Sequence, residues 1–309
     1  MPNIARGATV DPRAELADDV EIGPGCYVGP MVKIGPGCRL IANVTILGHT
    51  EIGSANLFYP SAVLGAAPQD LKYRGGNTRL VIGDDNIFRE NVTAHTGTEL
   101  GGGVTKVGNH NQFQVGAHLA HDVKVGDNCL LSNSVQIAGH VQIEDHVNIS
   151  GLVGVQQFVT VGQYCFVTGA SRCTTDTPPY LIFGGYGGAV MGVNVKGLGR
   201  WGFDEPSIQQ LRDLCRNLFP RREQPMNDFS VRGLYHSVFA GKRDKNGKSS
   251  LIRRLSEAES NGPLSEHCQY LINFLKRSIH SGIHGRYLES LRRDSNGMPP
   301  GFYQGGGRS

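Results

Sequence analysis

Aromatic residues make up only 7% of this chain, with a single tryptophan, which points to thin strands joined by short turns. Charge is also sparse. Charged residues are 18% of the 309 positions and the formal net charge is +3, which predicts neither a polyelectrolyte tail nor binding to nucleic acid. No apolar run approaches the ~20 residues that span a bilayer, so no membrane span is expected. No basic-then-apolar leader precedes the first structural signal. The residue in excess is glycine, 43 in all. It follows no every-third-residue pattern, which excludes collagen. Many tight turns between thin strands are expected instead.

An apolar residue recurs at every sixth position from the amino terminus: Ile4, Val10, Leu16, Ile22, Val28, Ile34, Leu40, Ile46, Ile52, Phe58 and Leu64. The register resumes at Ile82, Phe88 and Ala94, shifts by one, and runs from Val107 to Val167. Four residues after each anchor the side chain is usually small, as at Cys26, Val32, Cys38, Val44, Cys129 and Cys165. A period of six fits neither a helix nor a two-faced strand. It fits a short strand, a tight corner and another short strand, stacked into a prism. Cysteines in the small slot read as reduced, buried thiols, and a cytoplasmic setting is expected.

Residues 65–81 and 96–106 break the pattern, and excursions from a solenoid often carry its function. From Trp201 onward the composition changes, with 17 Lys/Arg against 11 Asp/Glu. Asp204-Glu205-Pro206 reads as a helix start. Ile208, Leu211, Leu214, Cys215 and Leu218 then mark one helical face. Further helices are predicted near 228–240, 248–259 and 264–279, with a disordered tail over 294–309. The predicted domains are therefore 1–200 for the prism and 201–293 for the helices.

His118, His121 and His140 stand out among eleven histidines. Anchors Leu119 and Ile137 are 18 residues apart, one coil of three hexads. His121 and His140 then sit on adjacent coils with backbones on the order of 6 Å apart, given the usual strand spacing. Asp122 adjoins His121. The shared face and the neighbouring carboxylate single out His121 as a catalytic candidate.

The repeat resembles that of the hexapeptide acyltransferases, which implies an all-β solenoid: a left-handed parallel β-helix, here followed by a C-terminal α-helical domain. A more specific resemblance rests on six segments in order: Gln69 to Tyr73, Arg89 to His95, His118 to Asp122, Ala138 to Val141, Asp176 to Tyr180, and Gly192 to Asn194. Together they are similar to the UDP-N-acetylglucosamine O-acyltransferase family. That resemblance implies transfer of a 3-hydroxyacyl chain from acyl carrier protein to the 3-position of UDP-N-acetylglucosamine, the first step of lipid A synthesis. It implies a homotrimer with sites between subunits, and no metal or cofactor. By position it makes His121 the base, Asp122 its partner and the Gly139 N–H the oxyanion donor. Gln69, Asp70, Lys72, His95, His118, His140, Gln156, Asn194 and Arg200 fall at substrate contacts, and Gly169 at the position that measures the acyl chain. Two departures are present. Gln156 stands where the family usually has histidine, and Trp201 stands where a second arginine is usual.

Two other readings follow from the same residues. One is an acyltransferase with a different nucleotide sugar or donor. The other is a zinc lyase of the γ-class carbonic anhydrase type, with His118, His121 and His140 as ligands.

Overall fold

The computed structural model describes residues 1–185, 188–220, 250–280 and 285–291. Each strand of the repeat pairs in parallel with the strand one coil further on, for example Ile4 with Ile22, Val10 with Val28 and Leu16 with Ile34. The strands sort into three sheets of 11, 9 and 8 strands, which form the three faces of a prism. We call these the first, second and third faces, beginning with Asn3–Ile4, Thr9–Val10 and Glu15–Leu16.

Most strands are two residues long. The anchor points inward and its neighbour outward, and the anchor together with the small residue four places on fills the interior. Ile22, Val28, Ile34, Leu40 and Ile46 are buried, and so are Cys26, Val32, Cys38 and Val44 from the small slot. Ile4 is 44% exposed because the first coil has no neighbour on its outer side. Phe58, Phe88 and Phe113 stack along the first face at 5.0 and 4.8 Å between ring centroids, and they bridge both interruptions of the repeat. All seven cysteines are free and buried.

The interruptions are excursions at one edge. Ile52 pairs with Ile82 and Phe88 with Phe113, so the coils there are longer than 18 residues. Strands Val63–Ala66 and Arg79–Ile82 extend further than the hexad pattern does, and the first excursion is confined to 67–78. The second runs over 96–103, between Thr93–His95 and Val104–Val107. Both leave the prism where the second face turns into the third.

Beyond Val167 the solenoid outlasts its sequence signal. Arg172–Cys173 completes the second face, and Leu181–Gly184 adds to the first. Ala189–Val193 then pairs antiparallel with Leu181–Gly184, a hairpin the periodicity does not predict. Residues 195–200 are helical, so the strands of the prism end before residue 200. This helix is α1 (Val195–Arg200), followed by α2 (Glu205–Leu218), α3 (Ser250–Ser260), α4 (Glu266–His280) and the short α5 (Tyr287–Ser290). The Asp204 carboxylate caps α2 by accepting from the Ser207 N–H, as the sequence predicts, and all five residues of its predicted face are buried. The predicted helix at 228–240 and the tail at 294–309 lie outside the described residues.

A second core joins the helices to the end of the prism through Tyr180, Leu181, Leu198, Leu211 and Leu271. Two carboxylates fasten α4 and α5 to the coils. Glu144 accepts from the Tyr270 hydroxyl at 2.8 Å and from Arg277 at 3.0 Å. Buried Asp176 accepts from the Thr160 N–H, the Ser278 hydroxyl and the Tyr287 N–H at 2.8–2.9 Å. Among the described residues no helix is long and apolar enough to cross a membrane.

Candidate active site

The corner between the second and third faces collects most of the predicted residues. The 18-residue coil places Asp122, His140 and Phe158 in one column at this corner, and all three adopt positive φ of about 60°. The His140 N–H donates to the His121 carbonyl at 3.1 Å, so the two histidines lie on adjacent coils as the spacing predicts. Their rings meet edge to face at 5.0 Å. Phe158 stacks on the far side of His140 at 4.5 Å, nearly parallel, and fixes its plane.

His121 is 4% exposed and its Nδ1 lies 2.8 Å from Asp122 Oδ2. A buried carboxylate in this position accepts a hydrogen bond from the Nδ1–H and leaves the Nε2 lone pair free. Asp122 is held in turn. Thr98 donates to its carboxylate from the backbone N–H at 2.9 Å and from the hydroxyl at 2.6 Å. The Asp122 N–H donates to the Thr105 hydroxyl at 2.8 Å. Burial raises the carboxyl pKa, but the hydrogen bonds from His121 and Thr98 outweigh it and hold the group below its usual value. Asp122 is therefore an anion at neutral pH. Thr98 caps the single helical turn Glu99–Gly101 in the second excursion. A Cβ on Gly101 would overlap the Asp122 carboxylate, so glycine is required for this close approach.

Gly139 faces the other side of the ring. A Cβ there would lie 2.5 Å from His121 Cε1 and 2.6 Å from Nε2. Only a residue without a side chain leaves room for the imidazole.

His118 lies at the start of a second-face strand, with Nδ1 2.7 Å from the Thr93 hydroxyl. His95 packs edge to face against it at 5.2 Å, and its own Nδ1 lies 2.7 Å from the Ala67 carbonyl of the first excursion. Burial lowers the pKa of His118 to about 4, with help from His95 and His121, and burial lowers that of His95 too. Both rings are neutral at physiological pH. Gln69 and Lys72 are exposed on the first excursion, and the Asp70 carboxylate accepts from the Lys72 N–H at 2.9 Å. Glu99 ties the excursions together by accepting from the Gly76 N–H at 2.7 Å. Gln156 is partly buried beside Phe158 on the same corner.

Three predicted residues lie elsewhere in the chain. Asn194 caps α1 and donates to the Tyr164 carbonyl at 2.9 Å, at the corner between the third and first faces. Arg200 is exposed at the end of α1, and the neighbouring Trp201 packs on His146 at 4.2 Å. Gly169 is exposed at the remaining corner, between the first and second faces.

The ligand triad of the zinc-lyase reading does not form as expected. His118 is engaged with Thr93 and His95, and the group whose potential ligand atoms converge within 4.8 Å is His121, Asp122 and His140. Thr98, Thr105 and Phe158 were not visible as site residues in the sequence. Only Phe158 had a signal, since it follows His140 by one coil.

Residues 176–284 match the family described as UDP N-acetylglucosamine O-acyltransferase, domain 2. Among solved structures, a UDP-N-acetylglucosamine acyltransferase from Bacteroides fragilis is 34% identical with a TM-score of 0.77, over 88% of this chain and 96% of that one. A counterpart from Acinetobacter baumannii is 35% identical with a TM-score of 0.75, over 87% and 95%. A UDP-N-acetylglucosamine O-acyltransferase from Moraxella catarrhalis is 35% identical with a TM-score of 0.74, over 87% and 95%.

Proposed function

The chain belongs to the UDP-N-acetylglucosamine O-acyltransferase family, and from that premise we propose that it moves a 3-hydroxyacyl chain from acyl carrier protein to the 3-position of UDP-N-acetylglucosamine. The product opens lipid A synthesis, and the setting is the cytoplasm. The observation that carries the mechanism is the chain of contacts from Thr98 through Asp122 to His121, with Gly139 against the ring.

Asp122 holds the Nδ1 proton and His121 Nε2 accepts the proton of the sugar hydroxyl. The hydroxyl oxygen attacks the thioester carbonyl. The Gly139 N–H donates to the oxyanion of the tetrahedral intermediate, a contribution of about 3–4 kcal/mol when such a donor is removed from other enzymes. The intermediate collapses, the carrier's thiolate leaves, and it takes the proton back from the imidazolium. The anionic Asp122 stabilises that imidazolium in a buried setting where charge interactions are strong. His118, His95 and His140 line the approach, and Gln69, Asp70, Lys72 and Gln156 contact substrate from the same corner.

Asn194 and Arg200 belong to a second corner of the prism and Gly169 to the third. One prism does not bring its corners together, whereas neighbouring copies packed side by side do. We therefore read the working unit as a homotrimer, with the prism (1–200) wound left-handed and the helical domain (201–293) after it. Arg200 supplies cationic contact to the diphosphate. Replacement of His121 by alanine tests the reading. Turnover should fall by about 10²–10⁴-fold, the usual contribution of a general base, while the protein stays folded. Wild-type turnover in that variant would refute it.

A further inference from the structure

The side chains that make the proposed base also make a ligand set for a metal. One ring nitrogen of His121, one of His140 and a carboxylate oxygen of Asp122 all lie within 4.8 Å of one another. Asp122 Oδ2 is 2.8 Å from His121 Nδ1 and 3.7 Å from His140 Nδ1. Ligands around tetrahedral zinc sit at ~2.0–2.2 Å from the ion and so about 3.4 Å from each other. The present separations bracket that value.

Four further features favour a cation here. The Asp122 carboxylate is 1% exposed, so a charge at this position is poorly screened. Thr98 fixes it from behind through its N–H and hydroxyl, as outer partners do in metal sites, and Thr105 holds the Asp122 backbone N–H. Phe158 fixes the His140 plane and blocks one side of the ring. Side chains of His121 and His140 are 5% and 20% exposed, so the group is open from the His140 side. The donor set is two imidazoles and one carboxylate. That set suits zinc and its neighbours in the transition series, whereas magnesium and calcium prefer oxygen alone.

We propose that this corner is an inhibitory site for a zinc-class divalent cation, held by His121, Asp122 and His140. A bound ion takes the Nδ1 lone pair of His121, whose proton moves to Nε2, and neutralises the charge of Asp122, so Nε2 has no lone pair left to accept the sugar proton. The effect on turnover rests on the reading of His121 as the base; the metal site itself rests on geometry alone.

The test titrates zinc chloride into the full-length protein, stripped with chelator, by calorimetry and without substrates. Magnesium chloride is the control. The expected result is one zinc per chain and no magnesium binding at the same concentrations. His140→Gln and Asp122→Asn should each weaken zinc at least about tenfold, since loss of even an outer partner costs that much. Thermal unfolding of both variants establishes that they are folded. Turnover of the wild type should fall with zinc occupancy and return on adding chelator. Absence of zinc binding, or binding untouched by both substitutions in folded protein, overturns the inference. The two readings separate cleanly. If His121→Ala abolishes turnover but the wild type takes no zinc, the base assignment stands and the metal site falls. If zinc binds through the three residues and turnover is unaffected, the metal site stands and the base assignment falls.

Discussion

Replacement of Gly139 by alanine isolates the position of the His121 ring from every other feature of the site. The new Cβ would sit 2.5–2.6 Å from two ring atoms. Ordinary contact needs about 3.5–4.0 Å, so the ring or the backbone must give by roughly 1 Å. The ring has little freedom to retreat. Its Nδ1 is bonded to Asp122, which Thr98 and Thr105 hold, and the His140 ring lies against it. Overpacking of this kind costs about 1–3 kcal/mol of stability, which a stacked solenoid can absorb. A displacement near 1 Å costs on the order of 10²-fold in turnover. Gly139 is not among the glycines with positive φ, so alanine brings no backbone strain. Alanine also keeps the N–H, so the loss reports on the fit between residue 139 and the imidazole and not on removal of a donor. The assay is steady-state transfer from acyl carrier protein, with the melting temperature measured alongside. A folded Gly139→Ala variant with wild-type kcat/KM would refute the claim that this contact sets the base.

Other outcomes are expected. Asp122→Asn should lower turnover by orders of magnitude, because the amide cannot stabilise the imidazolium. Asp122 has a folded pKa below its usual value, so its contribution to stability is present above about pH 4 and is lost as pH falls through the folded pKa. The stability gap between wild type and this variant, measured by denaturant unfolding, should therefore shrink in acid. His118→Asn should leave the pH profile of kcat unchanged above pH 5, since His118 titrates near pH 4. Asp176→Ala strands the Thr160 and Tyr287 N–H donors at about 1–3 kcal/mol each, and the melting temperature should fall accordingly. Gly169→Met should shift donor preference toward shorter acyl chains. A Cβ there meets only ordinary contacts, the nearest at 3.5 Å from the Gly151 carbonyl, so the fold should tolerate the change.

The prism was legible because each hexad must bury one apolar anchor, and a period of six leaves no other way to do so. The pairing of His121 with His140 was legible for the same reason, since coil length converts sequence spacing into distance. Thr98 was hidden. It reaches Asp122 from an excursion whose path no repeat specifies, 24 positions earlier in the chain. The steric need for Gly139 was hidden too, because it arises from a ring on the preceding coil. The hairpin of Leu181–Gly184 with Ala189–Val193 carries no hexad signal, since antiparallel pairing frees it from the coil period. Of the basic residues that suggest an acidic partner for the helical region, Arg221, Arg222, Lys242, Arg243, Lys245 and Lys248 lie outside the described residues, and Arg253 and Arg254 lie on α3. Of the two candidate neighbours of the acyl groove, Tyr186 lies outside them too, and Met191 is exposed on the strand Ala189–Val193.

The central claim is the reaction itself. The direct measurement offers the full-length protein 3-hydroxyacyl carrier proteins of ten to fourteen carbons with UDP-N-acetylglucosamine and identifies the product by mass and by its position of acylation. The account predicts one acyl chain in ester linkage on the sugar 3-oxygen, one equivalent of free carrier thiol, a preference for the longer donor, and loss of all of it in His121→Ala. No transfer to UDP-N-acetylglucosamine, in protein that acylates a 3-amino nucleotide sugar under the same conditions, would contradict it.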